Sequence, residues 1–146
     1  MQVFTPLGDV GHVIQLAIAP VFLLTAVGAL LNVLTSRLAR AVDRRRVLVA
    51  RLAELDAATL ESANAELDFL ERRGRLIYTS IALAVFCALL ICLLIAVAFL
   101  DALVRFDFAT AIAVFFMLAM LALIGSLGCF LREIFLGVNT ARSPIL

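Results

Sequence analysis

The sequence contains no lysine and no tryptophan, and only one histidine and one tyrosine in 146 residues. Without lysine, every basic group is an arginine, a planar fork of donors that stays charged. A single histidine rules out an HExxH pair. There is also no GxSxG elbow and no phosphate-binding glycine loop, so an enzyme is not expected. Cysteine is scarce: Cys87, Cys92 and Cys129 each sit in an apolar run. That pattern is neither a disulfide framework nor a zinc spacing, and it makes them small packing residues. No metal, cofactor or nucleic-acid partner is expected. The first residues, MQVFTPLGDVGH, lack a basic segment and a small-residue cleavage site. A cleaved signal peptide is therefore not expected, and the first span should insert as an uncleaved anchor.

What is present is apolar. Hydrophobic residues make up 65% of the chain and its mean hydropathy is +1.17, whereas a soluble domain averages roughly 45–50% apolar. The composition is that of an integral membrane protein, and the length suits one domain, residues 1–146. The net charge of +1 is uninformative, but its distribution is not. Arg37, Arg40, Arg44, Arg45, Arg46, Arg51, Arg72, Arg73 and Arg75 are nine of the twelve basic residues.

The organising stretch is Val13 to Arg51. Val13 to Ser36 has no charge, and Arg37 to Arg51 follows with no Gly or Pro between them. A bilayer core of ~30 Å needs ~20 helical residues, so the first part is a membrane span. Its helix is expected to leave the bilayer unbroken. Pro20 should kink or loosen it near Leu16. Gln15, Ile18, Phe22, Thr25, Ala29, Asn32 and Ser36 recur every three or four residues. They form one stripe, which continues through Ala39, Asp43 and Arg46. Small and polar residues on one face of a span mark a face turned from lipid. Two readings follow: a packing seam between helices, or the lining of a wet path in an oligomer. Residues 1–12, with Pro6, Gly8 and Gly11, are not expected to form a stable helix alone. His12 reads as a polar interfacial residue, with a pH-sensing role beside Asp9 as the sharper alternative.

Residues 37–75 are helical in pattern. Leu38, Val42, Val49 and Leu52 form one apolar line; Leu60, Ala63, Leu67, Leu70 and Ile77 form another. A turn at Asp56–Thr59, with Asp56 or Thr59 as cap, makes an antiparallel αα-hairpin. Its arms would project on the order of 30 Å, basic at the membrane end and acidic toward the tip.

The second span is Leu76 to Leu100, also without charge, with Tyr78 at its arginine-flanked end. It is expected to continue the second arm, although Gly74 weakens the junction. A tight connection, Asp101 to Asp107, leads to the third span, Phe108 to Leu131, with Asp107 as its cap. Ala119, Ala122, Ser126 and Cys129 lie on one face of that span, with Glu133 on the same line. Gly125 and Gly128 beside them would permit close helix approach. The tail GVNTARSPIL reads as irregular. Arginine counting places the hairpin and C-terminus in the cytoplasm and the N-terminus outside.

The fold class is thus all-α: three transmembrane helices with a cytoplasmic helical hairpin between the first two. Arg37, Arg40, Asp43, Arg44 and Glu133 are the candidate charge network at the cytoplasmic mouth, able to gate or select ions as a ring of charges. The plainer reading is topological, arginines pairing with anionic lipid head groups. The stripe Gln15, Phe22, Thr25, Ala29, Asn32 and Ser36 is the candidate pore lining or packing surface. A homo-oligomeric channel is the leading functional reading. The alternative is a structural or adaptor protein whose hairpin binds a cytoplasmic protein or anionic lipid.

The run IQLAIAPVFLLTAVGALLNVLTSRLARAVDRRR, Ile14 to Arg46, and FLREI, Phe130 to Ile134, resemble a bacterial family of small membrane proteins catalogued as domain of unknown function twenty-seven twenty-one. The resemblance spans nearly the whole chain. Gln15, Ala19-Pro20, Asn32, Arg37, Arg40 and Asp43-Arg44 carry it. It implies a three-span membrane protein, and it transfers no activity and no functional residue; a bacterial inner membrane is the expected location.

Overall fold

A computed structural model describes residues 6–51, 57–104 and 108–141. They form three helices: α1, Pro6–Arg51, of 46 residues; α2, Ala57–Val104, of 48; and α3, Ala109–Ala141, of 33. Stretches of all three are long and apolar enough to cross a membrane: Ala17–Arg51, Ala63–Asp101 and Ala109–Val138. The chain is a multi-pass membrane protein, all-helical through its described residues.

Both expected continuities hold. The helix of the first span runs without a break into the arginine-rich segment up to Arg51. The second arm runs through Gly74 into the second span. Once a helix is nucleated, each added residue costs little, so a charge run does not end it unless a breaker intervenes. Pro20 is buried inside α1 and does not end it either.

Four boundaries differ from the sequence expectation. α1 already begins at Pro6, because proline suits the first helical position and the following span supplies the nucleus. Ala57, Ala58 and Thr59 of the expected turn lie within the first turn of α2 rather than before it, and Asp56 is outside the described residues. α2 continues past Leu100 to Val104. Asp101 there accepts a 3.1 Å hydrogen bond from the backbone N–H of Phe108, which ties the end of α2 to the start of α3. Asp107 lies outside the described residues. Finally, α3 extends to Ala141, so the first half of the expected irregular tail is helix.

The chain divides into two compact units, each built from parts of all three helices. In the first, residues 1–30 and 83–124, the core is Pro20 and Val27 of α1, Ala84, Cys87, Leu90, Ile91 and Leu94 of α2, and Ala119 and Ala122 of α3. Four of these nine are small, Ala84, Cys87, Ala119 and Ala122; van der Waals contact between closely approaching backbones holds helices together where lipid competes with apolar side chains. Phe86, Leu89, Met117, Leu121 and Ile124 point outward, as lipid-facing positions do.

In the second unit, residues 31–82 and 125–146, the core is Leu34 of α1, Ala63, Leu70, Ile77 and Ser80 of α2, and Ser126 and Glu133 of α3. Ser80 and Ser126 are both wholly buried. The Ser80 hydroxyl donates to the Ser126 carbonyl at 2.7 Å, and the Ser126 hydroxyl donates to the Ser80 carbonyl at 2.8 Å. This reciprocal pair pins α2 to α3.

The expected apolar lines of residues 37–75 are half right. Ala63, Leu70 and Ile77 are buried, but Val42 and Val49 are exposed. The inward positions of α1 are instead Leu34, Arg37, Leu38, Ala41 and Leu48, buried or half-buried. The face of α1 that carries Arg37 inward meets α3, and that pairing rotates Val42 and Val49 outward. Gly128 is not a close-approach point, since a β-carbon there would meet open space. Of the cysteines, Cys87 packs in the core, Cys129 is half-buried and Cys92 is exposed.

Candidate functional site

Glu133 is the one charged side chain buried among the described residues, with no exposure at all. Its position follows from period. Ala119, Ala122, Ser126 and Glu133 share the inward face of α3, so a helix that turns its small residues inward must turn this acid inward too. A lone buried carboxylate is costly unless it is paired and hydrogen-bonded. Two arginines supply that pairing from the other two helices.

Arg37 of α1 donates from Nη1 to Oε2 of Glu133 at 2.7 Å. Arg73 of α2 donates to Oε1 from Nε at 3.1 Å and also from Nη2. Each guanidinium lies over an aromatic ring, Arg37 5.1 Å from the centroid of Phe130 and Arg73 5.8 Å from that of Phe69. Such cation–π contacts hold the forks in place. Gly137, one turn beyond Glu133, lies beside Arg73: a β-carbon there would stand 3.4 Å from Arg73 Nη2, an ordinary contact. The arginine side chains keep partial access to water, 32% for Arg37 and 28% for Arg73. The cluster carries two positive charges and one negative, so it is net cationic.

A second ion pair joins α1 to α2. Arg44 donates to Oε1 of Glu66 from Nη2 at 2.8 Å and from Nε at 3.0 Å. Both partners are well exposed, so this pair contributes little stability.

Of the expected charge network, the structure joins Arg37 to Glu133 and places Arg44 on Glu66. Arg40 and Asp43 are exposed, and neither has an ion pair among the described residues. The missed member is Arg73. Its signal was present: Ala63, Glu66, Leu70, Arg73 and Ile77 follow a three-four spacing, so Arg73 shares the buried face of α2.

The stripe of α1 faces away from the other helices. In the first unit Gln15, Thr25 and Ala29 are exposed and Phe22 is 73% exposed; in the second, Asn32 and Ser36 are exposed. Thr25 satisfies its hydroxyl on the Val21 carbonyl and Ser36 on that of Asn32. The side-chain amides of Gln15 and Asn32 have no hydrogen bond to the described residues. Ile18 and Phe22 border an apolar groove with Ile95 and Phe99. The side chain of His12 is outside what the structure describes. No set of three metal-ligating side chains comes together among the described residues.

A family model whose description is "Protein of unknown function (DUF2721)" matches residues 17–143. No curated protein and no solved structure matches the chain.

Proposed function

The chain belongs to this family of proteins of unknown function, and from its geometry we propose a homo-oligomeric membrane protein whose first helix lines a path for ions. The observation that carries the reading is the outward polar stripe. The side-chain amides of Gln15 and Asn32 lie on the surface of a span without a hydrogen-bond partner among the described residues. In a bilayer an unsatisfied polar group costs several kcal/mol, so these groups call for a neighbouring copy or water. A closed ring of copies supplies both. In such a ring Thr25, Asn32 and Ser36 form a polar wall, and Phe22 is its hydrophobic constriction, a device that gates by dewetting. Arg37 and Arg40 follow directly on α1 as the charged mouth. The arginine distribution supports a cytoplasmic location for that mouth, for residues 37–75 as a helical hairpin, and for the C-terminus. It fits a bacterial inner membrane.

The test is the mass of the detergent-extracted complex, followed by ion flux in liposomes made from the same peak. A discrete ring whose flux changes on Asn32→Leu, with assembly kept, supports the channel. A silent monomer rejects it. If Asn32→Leu alters the oligomer and no flux exists, the stripe is a dry seam.

The adaptor reading has its own support: Glu61, Asp68, Glu71 and Arg72 are exposed beyond the arginine cluster. It expects Glu61→Lys with Asp68→Lys to abolish capture of a cytoplasmic partner and leave the oligomer whole.

A further inference from the structure

The second unit holds an open cleft of about 360 Å³, lined by Arg37, Arg40, Ala41, Arg44, Leu70 and Arg73. We propose that this cleft binds a phosphate ester, presented by an anionic phospholipid headgroup at the membrane boundary or by a soluble phosphate.

The first argument is charge. Four guanidinium groups surround one concavity, and two carboxylates reach them. Glu133 is shared by Arg37 and Arg73, and Glu66 holds Arg44. Two positive charges are left over, and Arg40 has no carboxylate among the described residues. Like charges gathered in one concavity repel, so an anion bound there relieves that repulsion and is attracted by the focused field.

The second argument is the unspent hydrogen-bonding capacity. A guanidinium carries five N–H donors. Arg37 spends one on Glu133 and Arg73 spends two. The paired, ring-backed forks of Arg37 and Arg73 are held in place before any ligand arrives, which lowers the cost of binding. Arginine forks match phosphate oxygens in pairs.

The third argument is selectivity of placement. A solvated basic face would spread its arginines around the helix. Here Arg37, Arg40 and Arg44 share one side of α1 and meet Arg73 from α2. Arg45 borders a different, apolar groove with Val42 and Tyr78. Arg46 borders none of the clefts described. The volume lies at the small end of ligand sites, ~300–1,000 Å³, which suits a phosphate with its ester substituent. The sequence position agrees: Arg37 directly follows the charge-free run 13–36, and Arg73 and Arg75 precede the charge-free run 76–100. Basic pockets between helices at that level hold lipid head groups. The proposal does not depend on self-association.

The experiment compares the chain with Arg40→Gln and Arg46→Gln in nanodiscs of phosphatidylcholine containing rising fractions of phosphatidylglycerol. Retained lipid is read by native mass spectrometry. In parallel, inorganic phosphate and glycerol 3-phosphate are titrated into the detergent-solubilised chain. Arg40 is exposed and has no ion pair among the described residues, so its loss should leave helicity unchanged by circular dichroism. We expect Arg40→Gln to weaken phosphatidylglycerol retention about tenfold, the scale of one charge-assisted hydrogen bond. Arg46→Gln should stay near the parent. If inorganic phosphate displaces the lipid, the site accepts phosphate from either source; if only lipid binds, the headgroup is the source. Equal losses in both variants, or no loss in Arg40→Gln, would overturn the proposal and leave a general arginine collar. Arg44→Gln is the second variant, expected to weaken retention in the same direction.

Discussion

Glu133 sets the energetics of the second unit because its carboxylate is fully buried while its two partners still touch water. Removing one partner of a fully buried pair costs about 3–5 kcal/mol. The arginines' exposure lowers that, so Glu133→Ala is expected to destabilise by about 1–3 kcal/mol. Heat or denaturant unfolding in detergent, followed by circular dichroism, measures it. Arg73→Ala should cost less, since Arg37 still holds the carboxylate, and the double variant should cost less than the sum. The serine pair is a neutral counterpart. Ser80→Ala removes one of two reciprocal bonds and should cost about 0.5–1.5 kcal/mol. Adding Ser126→Ala removes the second bond, whose acceptor is the Ser80 backbone carbonyl that the first change leaves in place, and should cost a similar amount again. A double loss well below the sum would show that the two hydroxyls depend on each other.

At the scale of the helix, the glycines separate by what surrounds them. A β-carbon at Gly74 meets open space, and glycine inside a helix costs about 1 kcal/mol relative to alanine. Gly74→Ala is therefore expected to stabilise α2 by about 0.5–1 kcal/mol. Gly137 is the opposite case, with Arg73 against it. Alanine there would make ordinary contact with the guanidinium and should be tolerated, whereas Gly137→Leu should push Arg73 off Glu133 and cost about 1–3 kcal/mol. The same unfolding assay distinguishes the two. An unstable Gly74→Ala variant would mean that α2 must bend at its junction with the span. The length of α1 fits this scale too: 46 residues extend about 70 Å at 1.5 Å each, more than twice the ~30 Å of a hydrocarbon core.

For the whole molecule, outward-facing residues decide the partners. Phe22, Leu103, Met117 and Phe135 are largely exposed, which suits a lipid surface or a neighbouring copy. The proposed orientation makes a direct prediction. In a cysteine-free background, Leu103→Cys should react with a membrane-impermeant maleimide added outside intact cells. Glu61→Cys should react only after permeabilisation. Reversed labelling would turn the molecule over and move the arginine cleft outside. The proposed ring adds that Asn32→Leu shifts assembly or flux, whereas Val33→Leu, a lipid-like exchange beside it, changes neither.

Much of this was written locally. Hydropathy and charge spacing placed three spans, because insertion depends on the composition of each segment. The absence of a breaker between Ser36 and Arg37 carried α1 through its charge run. The three-four spacing from Ala119 to Glu133 identified the inward face of α3. The tertiary structure alone decided which face of α1 turns inward. Polarity singled out the stripe from Gln15 to Ser36, but packing chose the opposite side, with Val27 and Leu34 buried. It alone also chose the partners of Glu133. Arg73 lies 60 residues away in the chain and Arg37 lies 96 away; spacing puts Arg73 on the buried face of α2, but only packing brings it and Arg37, rather than Arg40, to the carboxylate. A buried carboxylate takes the donors that three packed helices bring to it.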